Sequence, residues 1–416
     1  MEVYQILFPL ALILVLSKLL SIGARKLGMP QVIGLLLTGI LLGLITLIPD
    51  QQVITADGNK GIAFFAEVGV VLIMFSAGLE TDIKQVKQTG LSSIVITVLG
   101  VVVPLGLGAL VAMVLPNEAT DTKTIFRNIF YGVILTATSV SVTVAALKEL
   151  GRLNSKIGTA IVSAAILDDI IGVIILSVII SLDKAMVTGS GNAGKEIAIV
   201  FGKTALFFIF AIALGVVFRL IFKKLEGKYD HHRRIPIFAL ALAFFYAYAA
   251  EAWFGIADIT GAFFAGLFLS GTKDTNYIER RTDTTSYLIF TPVFFAKVGL
   301  TSVGSFSKID LSFLLFGVLF ILAGILGKFI GCGCAAKMCK YNIKDSVRCG
   351  LGMMVRAEVC LISAQKGIDA GIISPYIQPF ILVLILVTSF ATPMLLKLSY
   401  KNEIPEDVSD IATIGN

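Results

Sequence analysis

Two adjacent carboxylates, Asp168 and Asp169, are the only charges in an apolar run that spans residues 157–182 (IGTAIVSAAILDDIIGVIILSVIISL). A carboxylate at membrane depth costs at least about 2.5–3.5 kcal/mol on insertion scales, and nothing in folding requires two side by side. In dry surroundings a carboxylate favours its protonated form, and a like charge beside it adds to that preference. Such a pair can hold a cation or a proton and exchange one for the other. The bland alternative is a pair neutralised by a buried Arg or Lys that only packs. Intramembrane ionisable residues are functional by default, which favours the exchange chemistry.

Two other stretches carry groups that could complete such a site. Thr136-Ala-Thr138-Ser139-Val-Ser141-Val-Thr143 is rich in hydroxyls. Ser and Thr can satisfy backbone groups freed by a helix break and offer oxygens to a hard cation. The same residues would also suit a small-residue packing face. Gly350-Leu-Gly352-Met-Met-Val-Arg356-Ala-Glu358 puts two glycines and two opposite charges into an apolar segment. Arg356 and Glu358 are two apart, so on one continuous helix they face different ways. Each is expected to pair with a neighbouring helix or a half-helix end, whether as an ion-coupling element or as a structural buried network. Lys297 and Lys328 also lie at depth. Either could neutralise one aspartate and release a proton when that partner is lost; either could instead snorkel to a surface.

These groups must be positioned by membrane helices. The chain is 56% hydrophobic and 15% charged, with mean hydropathy +0.92, where a soluble domain carries roughly a quarter charged residues. A span needs about 20 apolar residues. Thirteen segments qualify: 3–22, 30–48, 61–78, 90–114, 128–147, 156–182, 195–222, 235–253, 255–270, 285–303, 311–336, 345–366 and 376–398. The first lacks a basic flank and a small-residue cleavage site, so it is expected to be a span and not a removed signal. With the N-terminus outside, 23 of the 34 Lys and Arg fall in inside loops, 8 in outside loops, and Lys297, Lys328 and Arg356 in the membrane. That asymmetry obeys the positive-inside rule and places the C-terminus in the cytoplasm. It also accounts for the net charge of +6 without nucleic acid. The five cysteines cluster near the inside ends of segments eleven and twelve, far in sequence from His231 and His232. They suit reduced packing roles better than a zinc site. Residues 401–416 form a short polar tail.

The ordered set of motifs resembles the monovalent cation:proton antiporter-2 family, the bacterial sodium/proton antiporters. Leu27-Gly-Met-Pro30-Gln-Val-Ile-Gly34 with Gly39 and Gly43 looks like its opening motif, and Phe75-Ser-Ala-Gly78-Leu-Glu80 like a characteristic helix end. Ala137-Thr138-Ser139 and Arg356-Ala-Glu358 look like its two broken helices, and Asp168-Asp169 like its ion site. Gly261-Ala-Phe-Phe-Ala-Gly266 and Pro292-Val-Phe-Phe295 look like later signatures. The resemblance implies an all-α polytopic membrane protein of about thirteen transmembrane helices, with inverted repeats and two crossed broken helices in an NhaA-like antiporter fold. It implies one transmembrane domain over 1–400, with a core near 90–182 and 311–398 and the other helices forming a dimerisation part. It further implies a homodimer in the bacterial plasma membrane, lipid around it, and elevator-type alternating access. Asp169 matches the cation-binding position, and Asp168 the carboxylate that pairs with a lysine. The family position of that lysine points to Lys328, while Lys297 remains open. An Asp-Asp pair resembles the electrogenic branch.

The leading expectation is therefore a secondary antiporter exchanging Na⁺ or Li⁺ for H⁺, serving salt or pH homeostasis. Asp168, Asp169, Thr138 and Ser139 would bind the ions, with Lys328, Arg356 and Glu358 in coupling. The ions are cargo, and no resident cofactor is expected. A K⁺/H⁺ antiporter of the same family is the first alternative. A sodium-coupled solute symporter would need a polar substrate cavity, for which this glycine-rich, apolar neighbourhood offers little. A channel would need a filter sequence, and none is visible. Intramembrane aspartyl proteolysis would want carboxylates on separate helices, whereas adjacent residues on one helix point about 100° apart.

Overall fold

The computed structural model describes residues 3–26, 31–81, 90–113, 122–153, 155–188, 193–226, 234–272, 274–306 and 311–401. Leu27–Pro30 of the opening motif, His231, His232 and tail residues 402–416 lie outside them. Among the described residues the chain is all-helical, with nine helices long and apolar enough to cross a membrane and two shorter apolar ones.

The helices partition into two compact units. Unit 1 comprises Met1–Asp82 and Leu176–Ser307. It holds α1 (Tyr4–Lys26), α2 (Gln31–Thr46), α3 (Ala56–Glu80), α8 (Ala193–Glu226), α9 (Arg234–Phe254), α10 (Asp258–Leu269), α11 (Thr275–Thr285) and α12 (Thr291–Phe306). Unit 2 comprises Ile83–Ile175 and Lys308–Asn416. It holds α4 (Leu91–Ala112), α5 (Thr122–Ile134), α6 (Val140–Glu149), α13 (Leu311–Met338), α14 (Ile343–Met353), α15 (Glu358–Asp369) and α16 (Gln378–Ser399). The long α7 (Lys156–Thr188) is divided between them, and both aspartates fall on its unit 2 part.

Unit 1 is packed through backbone contacts. A Cβ on Gly78 of α3 would run into the carbonyl of Phe263 on α10, and one on Gly266 of α10 into the carbonyl of Phe75 on α3. Glycine at both positions lets the two helices touch along their main chains, as small residues do in membrane interfaces. Ser181 Oγ donates to Gly255 O at 2.8 Å, holding the unit 1 half of α7 to the link before α10. A single π turn, Ser286–Phe290, joins α11 to α12, so the segment expected at 285–303 is the apolar part of one longer helical stretch.

The outward faces are apolar. Leu206, Ile209, Ile212, Val216 and Leu220 of α8 are all exposed, as are Leu322 and Leu326 of α13. In water such bands would be aggregation surfaces; in lipid they are the solvated faces.

Two expected spans are each split in two. In place of one helix over 128–147, α5 stops at Ile134 and α6 starts at Val140. In place of one over 345–366, α14 stops at Met353 and α15 starts at Glu358. Irregular backbone at membrane depth survives only where protein or a cavity satisfies it, and here each break satisfies the other. Ser139 N–H donates to Val355 O at 2.9 Å, and Thr143 Oγ1 to Gly352 O at 2.6 Å.

Candidate ion-exchange site

The site is built within unit 2 from α4, α7, α13, α16 and the two breaks. Asp168 reaches the crossing from the middle of α7 and is fully buried. Its Oδ1 accepts from Lys328 Nζ at 2.6 Å, and both side chains are sealed from solvent. Its Oδ2 accepts from Thr138 Oγ1 at 2.8 Å, so the first break touches the carboxylate directly. Both oxygens thus have a donor, as a buried charge requires.

Lys328 arrives through close helix packing. A Cβ on Gly327 would lie 2.8 Å from Pro104 Cα, and one on Gly331 would lie 2.7 Å from Leu99 O. The absence of side chains on either flank of the lysine lets α13 lie against α4. Across that seam, a Cβ on Gly100 would stand 2.6 Å from Cys332 Sγ and 3.7 Å from Lys328 Nζ. The ammonium is walled in by α4, and Asp168 is the carboxylate it meets. α4 is tied to α7 in turn by Thr97 Oγ1, which donates to Ala164 O at 3.0 Å.

Asp169 occupies the adjacent face of α7, about 100° around the helix. It is half-buried where Asp168 is wholly buried, although its Oδ1 is out of solvent. The two carboxylates therefore have different environments: one in a closed ion pair, the other on the more open side. Ser139 is buried in the first break, and its backbone N–H serves the crossing.

Arg356, fully buried in the second break, forms no ion pair with Glu358. Its guanidinium instead donates to the carbonyl of Ala137, in the first break, and to Gly324 O of α13 at 3.0 Å. A fixed planar cation with several donors suits this task. It supplies hydrogen bonds to carbonyls left open by interrupted helices, and its charge complements the negative end of α5. Its own backbone N–H donates to Thr388 Oγ1 of α16 at 3.1 Å. Glu358 sits in the first turn of α15, where a carboxylate favours the positive end of the helix dipole.

Lys297 is elsewhere, in unit 1, where its Nζ donates to Asn59 Oδ1 at 3.2 Å. Of the two lysines that sequence reasoning left open, Lys328 is the one that contacts Asp168. Sequence reasoning missed Thr388 and the Gly324 carbonyl. Thr388, a hydroxyl in the apolar stretch Leu382-Val-Leu-Ile-Leu-Val-Thr388, gave a weak signal; a backbone carbonyl gives none.

A helical membrane protein whose two broken helices cross beside a buried Asp–Lys pair has the architecture of a secondary transporter. The family profile described as sodium/hydrogen exchanger, transmembrane, matches residues 11–398, and the chain belongs to that family. It is 31% identical over 399 residues to the Na⁺/H⁺-K⁺ antiporter GerN of Bacillus cereus, covering 95% of this chain and 97% of that protein. It is 32% identical over 391 residues to a Na⁺/H⁺ antiporter of Enterococcus hirae, covering 93% and 96% respectively. The fold matches the solved sodium proton antiporter MjNhaP1 of Methanocaldococcus jannaschii with a TM-score of 0.70. That match is at 21% identity and covers 96% of this chain and 98% of the other.

Proposed function

We propose that this protein is a secondary antiporter that exchanges Na⁺, or Li⁺, for H⁺. The observation that carries the reading is the Lys328–Asp168–Thr138 knot, with the more open Asp169 next to it on α7. Asp169 binds protons when the site faces the more acidic side and yields them to the cation when it faces the other. Thr138 and Ser139 add oxygens. Asp168 alternates between its ion pair with Lys328 and a proton or the ion. One site cannot hold both cargoes, so the two fluxes are coupled without a second gate. Moving more than one proton per Na⁺ would make the exchange electrogenic.

The wider architecture belongs to the same proposal: thirteen spans from inverted repeats, the N-terminus outside and the C-terminus in the cytoplasm of a bacterial cell. Unit 2 would carry the site in an elevator-type movement, and the remaining helices would form a homodimer within the lipid.

Potassium is the second reading, supported by GerN, a Na⁺/H⁺-K⁺ antiporter similar to this chain along nearly its whole length. The deciding measurement is cation-driven alkalinisation of acid-loaded proteoliposomes with Na⁺, Li⁺ and K⁺. Proton release that disappears in Asp169→Ala supports antiport and names the cation. Folded protein that moves no protons with any of the three would reject it.

A further inference from the structure

Several glycines around the ion site serve packing. A Cβ on Gly100, Gly327, Gly331 or Gly350 would stand closer than 3.0 Å to a neighbouring atom. Gly172 on α7 is different. Among the described residues, the one atom its Cβ would meet within 4 Å is Thr136 Oγ1, at an ordinary contact distance of 3.7 Å. Glycine weakens a helix interior relative to alanine, and here no close approach of helices requires it. Its place on α7 supplies another reason. Gly172 is four residues beyond Asp168, so it lies on the same face, about 6 Å further along the axis. Before the aspartates α7 is closed, with residues 160–166 all buried; residues 169–172 are all half-buried.

Two threonines of the first break meet α7 in register. Thr138 Oγ1 donates to Asp168, and Thr136 Oγ1 stands one turn further on, beside Gly172. Thr136 is buried, and its hydroxyl donates to Val133 O at 2.8 Å. With the proton committed to the end of α5, the oxygen keeps lone pairs for another partner. The C-terminal end of a helix is its negative pole, which favours a cation at the same place.

We propose that Thr136 and Gly172 form a second step of the ion passage, one turn beyond Asp168. Thr136 offers an oxygen to the monovalent cation, and Gly172 leaves the room the cation needs beside it. The size of the residue at 172 then determines which cation is exchanged fastest. A methyl group there narrows the step without touching either carboxylate, and a smaller cation is hindered less. The inference rests on the antiport reading and adds a specificity-determining position to it.

The test is alkalinisation of acid-loaded proteoliposomes by Li⁺, Na⁺ and K⁺, run on the full chain beside its thermal midpoint. Gly172→Ala should melt at or above the wild-type temperature, because the 3.7 Å contact leaves space for a methyl group and alanine favours the helix. Its exchange of the largest cation that the wild type carries should fall about tenfold, the discrimination one methyl group gives in a fitted site. Li⁺ exchange should fall less. Thr136→Val should raise the apparent KM for the cation about fivefold, and Thr136→Ser, which keeps the oxygen, should restore it. Gly106→Ala on α4, where a Cβ would meet no atom within 4 Å among the described residues, should exchange as the wild type does. Wild-type rates and cation order in Gly172→Ala would overturn the proposal, as would an equal loss for every cation with a lower midpoint. An unchanged KM in Thr136→Val would overturn it too. A wild type that moves no protons overturns the antiport reading itself, whereas an active wild type with an indifferent Gly172→Ala overturns only this step. Should Gly172→Ala be misfolded, the Thr136→Val and Thr136→Ser pair decides.

Discussion

The two units solve the same problem, packing helices in lipid, in opposite ways. Unit 1 brings α3 and α10 together through paired glycines, main chain against main chain. Its lysine at depth, Lys297, is half-buried and donates to a neutral amide, Asn59. Unit 2 interrupts two of its helices and fills the crossing with Asp168, Lys328 and Arg356, each 0% exposed. Backbone packing is inexpensive and stable. Buried charge is neither, because breaking a buried pair leaves an uncompensated ion costing about 3–5 kcal/mol. The contrast teaches where this molecule keeps its chemistry: in the unit whose helices are broken.

The sharpest way to break the comparison is Asp169→Ala. It should reduce cation-driven proton flux in proteoliposomes to background while leaving a folded, monodisperse protein; full activity would remove the aspartate pair from the mechanism. Lys328→Ala comes next. Leaving Asp168 charged and unpaired should cost about 3–5 kcal/mol, less whatever protonation of the carboxylate recovers. It should lower the thermal midpoint and alter the charge moved per cycle, read as current on solid-supported membranes. Lys297→Ala, the matched change in unit 1, should leave that current unchanged. The reverse pattern would hand the coupling role to Lys297. Arg356→Met keeps bulk but removes the hydrogen bonds to Ala137 and Gly324. At about 1.5–3 kcal/mol for a hydrogen bond involving a charge, it should destabilise the crossing and slow turnover, with partial rescue by Arg356→Lys. Among the unit 2 variants Thr138→Val should have the smallest effect: one lost hydroxyl, about 1 kcal/mol, seen as a several-fold rise in apparent KM with maximal rate little changed. An unaltered KM would reduce the first break to packing.

Much of this was legible in the chain because membrane depth is a sequence property. Asp168 and Asp169 are conspicuous only because twelve or so apolar residues flank them on each side. The hydroxyls of Thr136–Thr143 and the glycines before Arg356 marked the breaks, since interrupted backbone needs local donors or small residues. Other parts were not legible. Arg356 and Glu358, two apart, invited pairing with each other or with neighbours, and the chain alone gave no means to choose two backbone carbonyls as the partners of Arg356. Thr388 read as one more tolerated hydroxyl.

The sequence by itself determined the solvent, the helical content, the charges forced into the membrane and the places where helices would fail. All of these follow from local composition weighed against the cost of burying polar groups. Only the tertiary structure decided that Lys328 and not Lys297 meets Asp168, that Thr138 binds the second oxygen, and that Arg356 serves the opposite break. Hydropathy fixes how deep a residue lies but carries no information on which helix stands beside it. That choice rests on close-approach surfaces such as Gly327 and Gly331 against Leu99 and Pro104, which exist only once the helices are assembled.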